Sequence, residues 1–265
     1  MTASPLPPPP ALVERAAAWV AGARRILCVT GAGVSAESGL PTYRGVGGIY
    51  DGVDTDDGIA IEEALSGPVF RRAPETTWKY LLQIERACRG ATPNAAHEIL
   101  ARWSRDARPP AEVWVLSQNV DGLHSVAGSR HLIEIHGDLH RLRCTTCDWR
   151  DRVDDYEALS PLPTCPNCGA LIRPEVVLFE EMLPSTATRR LHAQLALGFD
   201  VVFSIGTSSQ FPYIVQPVVM AKHQGLPTVE INPRETAISA LVDLRLPCNA
   251  GLALEAIDRV LGGAP

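Results

Sequence analysis

A chain of 265 residues with 46% apolar and 20% charged residues can bury a substantial core, as one large domain or two small ones. Its formal net charge of −6 leaves no electrostatic footprint for nucleic acid or an anionic membrane, and no apolar run approaches a membrane span. Seven cysteines fall as two close pairs plus the singles Cys28, Cys88 and Cys248; an odd count with pairs at metal spacing points to a reducing compartment, the cytoplasm, rather than a disulfide scaffold.

The start, Met1 to Pro10, lacks the basic and apolar regions of a signal peptide, and its proline run reads as a disordered, extended lead-in. Residues 11–23 carry apolar positions at helical spacing and predict a helix on the outside of a sheet. Arg25-Ile26-Leu27-Cys28-Val29-Thr30 is a short apolar run suited to a central strand. It feeds into Gly31-Ala32-Gly33-Val34-Ser35-Ala36, a G-x-G-x-x-A pattern in the context where backbone amides and a helix start can receive a dinucleotide pyrophosphate. The same glycines also suit an ordinary tight turn. The helix that follows must be short, because Gly39 and Pro41 break it, and residues 41–48 form a glycine-rich loop in which Arg44 suits a phosphate or a carboxylate and which could act as a lid.

Residues 59–65 and 76–88 predict short helices that interrupt the βαβ alternation, a helical insertion. Thr92-Pro93 predicts the cap and first residue of a helix running through Trp103. Residues 112–116 and 131–135 read as neighbouring buried strands. Between and after them lie Gln118, Asn119, Asp121 and His136, polar groups at strand ends, where open α/β sheets bind ligands. Asn119-Val120-Asp121-Gly122 also suits a plain turn.

Beyond His136 come Cys144-x-x-Cys147 and, seventeen residues later, Cys165-x-x-Cys168. Two such knuckles match a tetrahedral four-thiolate zinc site. Four thiolates leave no open position for water, so the zinc is expected to be structural, and the polar ribbon between the knuckles to need it for folding. The last third alternates again: helix 185–197, strand 200–205, the small-residue turn Gly206-Thr207-Ser208-Ser209, helix 213–223, strand 228–232 and a closing helix 250–261. Gly206, Thr207, Ser208 and Asn232 end strands and can approach a ribose or adenine closely; loop capping is the other reading of Asn232.

Taken in order, these segments resemble the sirtuins, NAD-dependent protein-lysine deacylases. The resemblance rests on Gly31 to Gly39, Gln118-Asn119-Val120-Asp121-Gly122-Leu123-His124, Glu134-Ile135-His136-Gly137, the four cysteines, Arg173 to Val177, Gly206-Thr207-Ser208 and Ile231-Asn232, and spans about residues 24–260. It implies an α/β fold: a Rossmann-type parallel sheet domain (11–48, 93–139 and 177–262) with a smaller domain made of a helical insertion (49–92) and a zinc ribbon (140–176). It further implies that Gly31, Ala32, Gly33, Arg44, Gln118, Gly206, Thr207, Ser208 and Asn232 hold NAD, which is consumed as a co-substrate. Asn119 and Asp121 would orient the nicotinamide ribose and carboxamide. His136 would be the general base that activates a ribose hydroxyl toward the alkylimidate formed by the acyl oxygen, giving O-acyl-ADP-ribose. Val177 and Phe179 would line the acyl-lysine tunnel; burial in the core is their other reading. The partner implied is an acyl-lysine protein or peptide, with acetyl the default acyl group.

Four positions depart from the family pattern, Tyr43 and Ser117 only mildly, and the change at Glu180 bears on peptide register or sequence preference. Tyr43 replaces Phe and Ser117 replaces Thr. Phe179-Glu180-Glu181 replaces Phe-Gly-Glu, which is expected to lose access to positive φ and to add charge beside the peptide. Phe211 replaces a smaller residue. An acidic-acyl preference goes with Tyr-x-x-Arg in the helical insertion, and the nearest match is Tyr80-Leu81-Leu82-Gln83, with Arg71, Arg72 and Arg86 as other cations in reach. An ADP-ribosyltransferase or NAD glycohydrolase on the same scaffold is the alternative, and a non-enzymatic binding module a third.

Overall fold

The computed structural model describes residues 7–41, 55–105 and 112–262. Tyr43, Arg44 and the glycine-rich loop expected to act as a lid lie outside them. In chain order the elements are α1 (Pro10–Gly22), β1 (Arg25–Thr30), α2 (Ala32–Ser35) with a 3-10 turn at Ala36–Ser38, α3 (Ile61–Ala64), α4 (Gly67–Arg72), α5 (Pro74–Cys88), α6 (Ala95–Arg105), β2 (Glu112–Ser117), α7 (Leu123–Val126), β3 (His131–Glu134), β4 (Gly137–Cys144), β5 (Arg150–Arg152), β6 (Ile172–Val176), α8 (Ser185–Leu197), β7 (Val201–Ile205), α9 (Pro212–His223), β8 (Thr228–Ile231), β9 (Leu244–Leu246) and α10 (Ala250–Val260).

Six strands form one parallel sheet in the order β3-β2-β1-β7-β8-β9. The chain winds outward from β1 in one direction and from β7 in the other, so the crossover direction reverses between these two strands, the switch point where doubly wound sheets open a crevice. Strand alternation explains why the runs are apolar throughout: Ile26 and Cys28 pack on one face with Val13, Val20, Leu100 and Leu254, while Leu27 and Val29 pack on the other with Leu191, Ile214 and Val218. β9 went unforeseen because three residues, of which only Leu244 and Leu246 are apolar, carry too short a period to read.

A second sheet, antiparallel and three-stranded in the order β5-β4-β6, has its own core with α3 to α5. Trp78 joins the two parts: its Nε1 donates to the Ile172 carbonyl at 3.1 Å and its ring meets Tyr156 edge-on at 5.7 Å. The passage from one sheet to the other occurs at Gly137, whose φ of 87° and closeness to the Glu175 carbonyl, 1.7 Å from where a Cβ would sit, admit only glycine.

Two local expectations need correction. The cap of α6 is Asn94, not Thr92: Asn94 Oδ1 accepts from the Ala96 amide at 3.0 Å, and Pro93 lies before the helix rather than at its first position. The helix expected over residues 59–65 is the single turn Ile61–Ala64, and a further helix, α4, follows, capped by Ser66 Oγ on the Val69 amide.

Candidate active site

At the carboxyl ends of β1, β2 and β7 opens a cavity of about 860 Å³. Its walls include Gly31, Ala32, Gly33, Gln118, Asn119, Asp121, His136, Val177, Phe179, Gly206, Thr207, Ser208 and Asn232. Apart from Arg44, which is not among the described residues, and the four cysteines, every residue that the resemblance assigns to NAD, to catalysis or to the acyl-lysine lines this cavity.

The two glycine turns hold one another. Gly33 N donates to Gly206 O at 2.8 Å, and Gly31 N to Ile205 O at 3.1 Å. Both readings of the Gly31 motif therefore have a part: it is a tight turn packed on another backbone, and it also lines the cavity. Gln118 Nε2 donates to Thr207 Oγ1 at 2.8 Å and Asn232 Nδ2 to Thr207 O at 3.0 Å, which ties the ends of β2, β7 and β8 together.

Behind this rim lies a buried polar network. Asn119 Nδ2 donates to Gly31 O and Ser35 Oγ at 3.1 and 3.0 Å, and Ser35 Oγ donates to Asp121 Oδ2 at 2.7 Å. Asp121 Oδ1 accepts from the Leu123 amide, so the Asx turn and the site are one feature. Burial raises the Asp121 carboxyl above its ordinary range, opposed by the Ser35 and Leu123 hydrogen bonds. His97 stands 3.5 Å from Ser35 Oγ, and its ring lies 4.7 Å from that of His124, which bonds Thr30 Oγ1 at 3.0 Å. Burial pushes His97 down to about 4, and His124 well below its ordinary value through burial and the neighbouring His97. Ser35, His97 and His124 were not foreseen as a group, since they lie on three separate segments of the chain and no spacing joins them.

His136 follows β3 and is fixed at both nitrogens: Nδ1 lies 2.9 Å from Gln118 O and Nε2 2.7 Å from Tyr213 Oη. Burial lowers its pKa, partly offset by the bond to the Gln118 carbonyl. Tyr213 was read only as the start of a helix.

The side of the cavity away from the glycine turns is apolar. Helix α5 faces it with Leu81, Ile84 and Cys88 at i, i+3 and i+7. This shifts the register expected from the sequence by one residue: Tyr80 is buried with its hydroxyl on Asp57 Oδ2 at 2.7 Å, neither Tyr80 nor Gln83 lines the cavity, and Arg71, Arg72 and Arg86 are exposed away from its walls. A second correction concerns Glu180, which does not lose the glycine-like turn. It adopts φ 63°, exposed at the cavity wall, while Glu181 pairs with buried Arg173 at 2.6 Å.

The four thiols gather between β4 and β6. Their sulfurs all lie within 4.8 Å of one another, with Cys144–Cys168 at 3.5 Å and Cys147–Cys165 at 3.6 Å. Tetrahedral zinc with Zn–S near 2.3 Å separates its sulfurs by roughly 3.8 Å, so the set fits that ion. The Thr146 and Cys147 amides point at Cys144 Sγ at 3.3 and 3.4 Å, stabilising a thiolate there.

A doubly wound sheet with a polar crevice at its switch point, joined to a small four-cysteine sheet, defines a Rossmann-type protein with a zinc ribbon. The chain belongs to the Sir2 family, whose sequence pattern matches residues 31–212. It is 52% identical over 239 residues to the NAD-dependent protein deacylase 2 of Pseudomonas syringae pv. tomato, covering 89% of this chain and 95% of that one. The NAD-dependent protein deacylase 2 of Pseudomonas aeruginosa is 47% identical over 242 residues, 90% and 92% of the two chains. Among solved structures, an ADP-ribose complex of a mutant Sir2 homologue superposes with a TM-score of 0.84 at 34% identity over 94% of this chain and 96% of that one. A Sir2 homologue–NAD complex gives 0.82 at 34% identity over 93% of each chain. Among the described residues no helix is long and apolar enough to cross a membrane.

Proposed function

We propose that this chain is an NAD-dependent protein-lysine deacylase, and a deacetylase by preference, that transfers the acyl group of a lysine to ADP-ribose and releases nicotinamide. The observation that carries it is the convergence of Asn119, Asp121 and His136 on one cavity with both glycine turns. The cavity fits NAD in size, and its rim fits it in chemistry. Gly31, Ala32, Gly33, Gly206, Thr207, Ser208 and Asn232 offer small side chains and backbone to a dinucleotide, with Gln118 beside them and Arg44 expected to join. Bound NAD supplies a glycosidic bond whose cleavage builds positive charge at the anomeric carbon.

The chain's own groups then divide the work. Asn119 and Asp121, immobilised by Ser35 and Gly31, act through orientation and local field rather than proton transfer. His136 is the base: Nδ1–H is committed to the Gln118 carbonyl, which fixes the tautomer and leaves Nε2, beside the Tyr213 hydroxyl, as the basic nitrogen. Val177 and Phe179 flank the acyl-lysine, whose protein or peptide is the partner. The same reading assigns 11–48, 93–139 and 177–262 to the NAD unit, and 49–92 with 140–176 to the small unit, which the separate cores of the two sheets support. The transferase or glycohydrolase alternative drew on the Phe179-Glu180-Glu181 segment; with Glu180 holding a positive φ, that segment keeps the turn a glycine would make, and only the added charge beside the cavity still speaks for it.

His136→Ala tests the assignment. It should abolish peptide deacetylation while leaving NAD affinity within a few-fold of the parent, because the histidine moves a proton rather than anchoring the dinucleotide. Undiminished turnover in the variant would remove His136 from the mechanism.

A further inference from the structure

The lone pair that His136 needs for base chemistry is already engaged. Nδ1 faces a carbonyl oxygen, which only accepts, so Nδ1 carries the ring proton and Nε2 is the acceptor. The partner at Nε2 is the Tyr213 hydroxyl at 2.7 Å, which must therefore donate. Burial raises the phenol's pKa and lowers that of the imidazole, so the proton stays on the oxygen and the contact is a neutral hydrogen bond.

Tyr213 is delivered by a rigid element. It is the second residue of α9, which opens with Phe211 as cap and Pro212 at its first position, and which packs against β7 through Ile214 and Val218. Its ring stacks on Phe211 at 5.5 Å with 15° between planes, and both rings meet the imidazole edge-on, at 6.0 Å for Phe211 and 5.9 Å for Tyr213. The two rings thus border His136 where all three side chains line the cavity. Besides Tyr213, the ionisable groups lining the same cavity are Glu62, Cys88, Asp121, Glu180, Glu181, Arg234 and Glu235, yet burial and the Gln118 carbonyl are what act on His136.

One lone pair cannot accept two full hydrogen bonds. We propose that Tyr213 is a positioning residue that gates the base: its hydroxyl donates to His136 Nε2, holding the ring ready, and must yield that site to a ribose hydroxyl of the incoming dinucleotide. This rests on reading His136 as the base. The displaced bond opposes NAD binding, and Phe211 restricts where the phenol can swing.

Tyr213→Phe keeps the ring and its stack and removes only the donor. In the ligand-free protein the ¹⁵N resonance of His136 Nε2 should move toward that of an unbonded lone pair. The Kd for NAD should fall about two- to tenfold, the equilibrium worth of one hydrogen bond, and the gain should appear in KM for NAD rather than in kcat. In a His136→Ala background the same substitution should no longer alter the Kd, which separates a gate from a general effect on folding. A kcat that drops more than tenfold with an unchanged Kd would overturn the gate in favour of a proton relay through the phenol. An unmoved resonance and Kd would reduce Tyr213 to packing. If the parent protein neither cleaves NAD nor deacylates, the reading of His136 fails, while the resonance and the Kd still decide the gate.

Discussion

Gly33 and Gly206 stand so close that neither can carry a side chain: a Cβ on Gly33 would lie 2.7 Å from the Gly206 Cα, and one on Gly206 would lie 2.5 Å from the Val34 nitrogen. The contact brings the ends of β1 and β7 together at the switch point, so the floor of the cavity is built from backbone. Gly206 also needs a φ of 60°. Gly206→Ala is therefore expected to cost roughly 1–3 kcal/mol from the strained backbone alone, with the overlap in addition, and to weaken NAD binding because the floor moves. Denaturant unfolding and NAD titration of the variant check it; a stability within 0.5 kcal/mol of the parent, a change about the size of a neutral surface substitution, would show that the two turns separate freely.

Buried His97 gives the fold an acid-sensitive point. Its pKa is pushed down to about 4, below the ordinary value of 6.5, so the folded chain binds fewer protons than the unfolded chain between those limits. Stability contributed by the neutral ring is complete above pH 6.5 and is lost as pH falls toward 4, an effect of order 3 kcal/mol for a shift of this size. His124, also held neutral by burial, adds loss of the same sign. Unfolding free energies measured from pH 7.5 to 4.5 should fall more steeply for the parent than for His97→Gln; equal slopes would show that His97 does not carry the dependence.

Much of the site was legible because its residues lie at the ends of apolar runs. Ile26 to Thr30, Val113 to Ser117 and Val201 to Ile205 announce buried strands by composition, and in a parallel sheet the residues that follow them share one edge. What the sequence hid is contact between elements that no period predicts. Tyr213 reaches His136 across 77 positions and His97 reaches Ser35 across 62, and neither distance leaves a trace in spacing. The register of α5 was misplaced by one residue because Trp78, Tyr80 and Leu81 are all buried, so the helix is apolar on more than the face that meets the cavity. Glu180 misled for a different reason: propensity favours glycine at a positive φ without forbidding other residues.

That strained Glu180 yields its own test. A residue other than glycine at φ 63° costs roughly 1–2 kcal/mol, and Glu180 makes no hydrogen bond or ion pair among the described residues to offset it. Glu180→Gly should raise stability by up to about 1 kcal/mol after the added chain entropy of glycine is deducted. The exposed carboxylate also faces the cavity, so the variant should accept acidic residues beside the acyl-lysine better than the parent does. Melting curves and a peptide panel varied at the flanking positions read both; no change in either would leave the residue without consequence.

The cysteine cluster supports a fold-level prediction. β5 is three exposed residues, and although Trp149, Val153, Tyr156, Leu159 and Leu162 between the knuckles pack on the small core, none of them joins the two knuckles, which is the part left to the ion. Purified protein should hold one zinc per chain. Cys165→Ser, or a strong chelator, should release it and abolish cooperative unfolding of the small sheet. Zinc-free protein with unchanged melting would refute a structural role.

Acyl choice follows from the wall of the cavity. Leu81, Ile84 and Cys88 of α5 stand with Ile61, Leu65 and Leu139 on the apolar side, and no cation among the described residues shares that side; Arg234 is the one arginine on the lining, and it follows β8 beside Asn232. A carboxylate at the end of an acyl chain would be desolvated there without a partner, and an uncompensated buried charge costs on the order of 3–5 kcal/mol. Burial has already raised the thiol of Cys88 to about 12, which keeps it neutral and of no use as a counter-charge. Aliphatic carbons meet the opposite response, since each buried methylene gains about 0.8 kcal/mol. Acetyl-lysine should therefore be processed at least a hundredfold more efficiently than succinyl-lysine in the same peptide at matched NAD, the ratio that about 3 kcal/mol implies, and butyryl-lysine should be accepted with a lower KM. Ile84→Arg, which sets a guanidinium on this wall, should narrow the acetyl-to-succinyl ratio by tenfold or more. A parent enzyme that prefers succinyl would refute the absence of a counter-charge, and Arg44→Ala would then be the first substitution to test for loss of the preference.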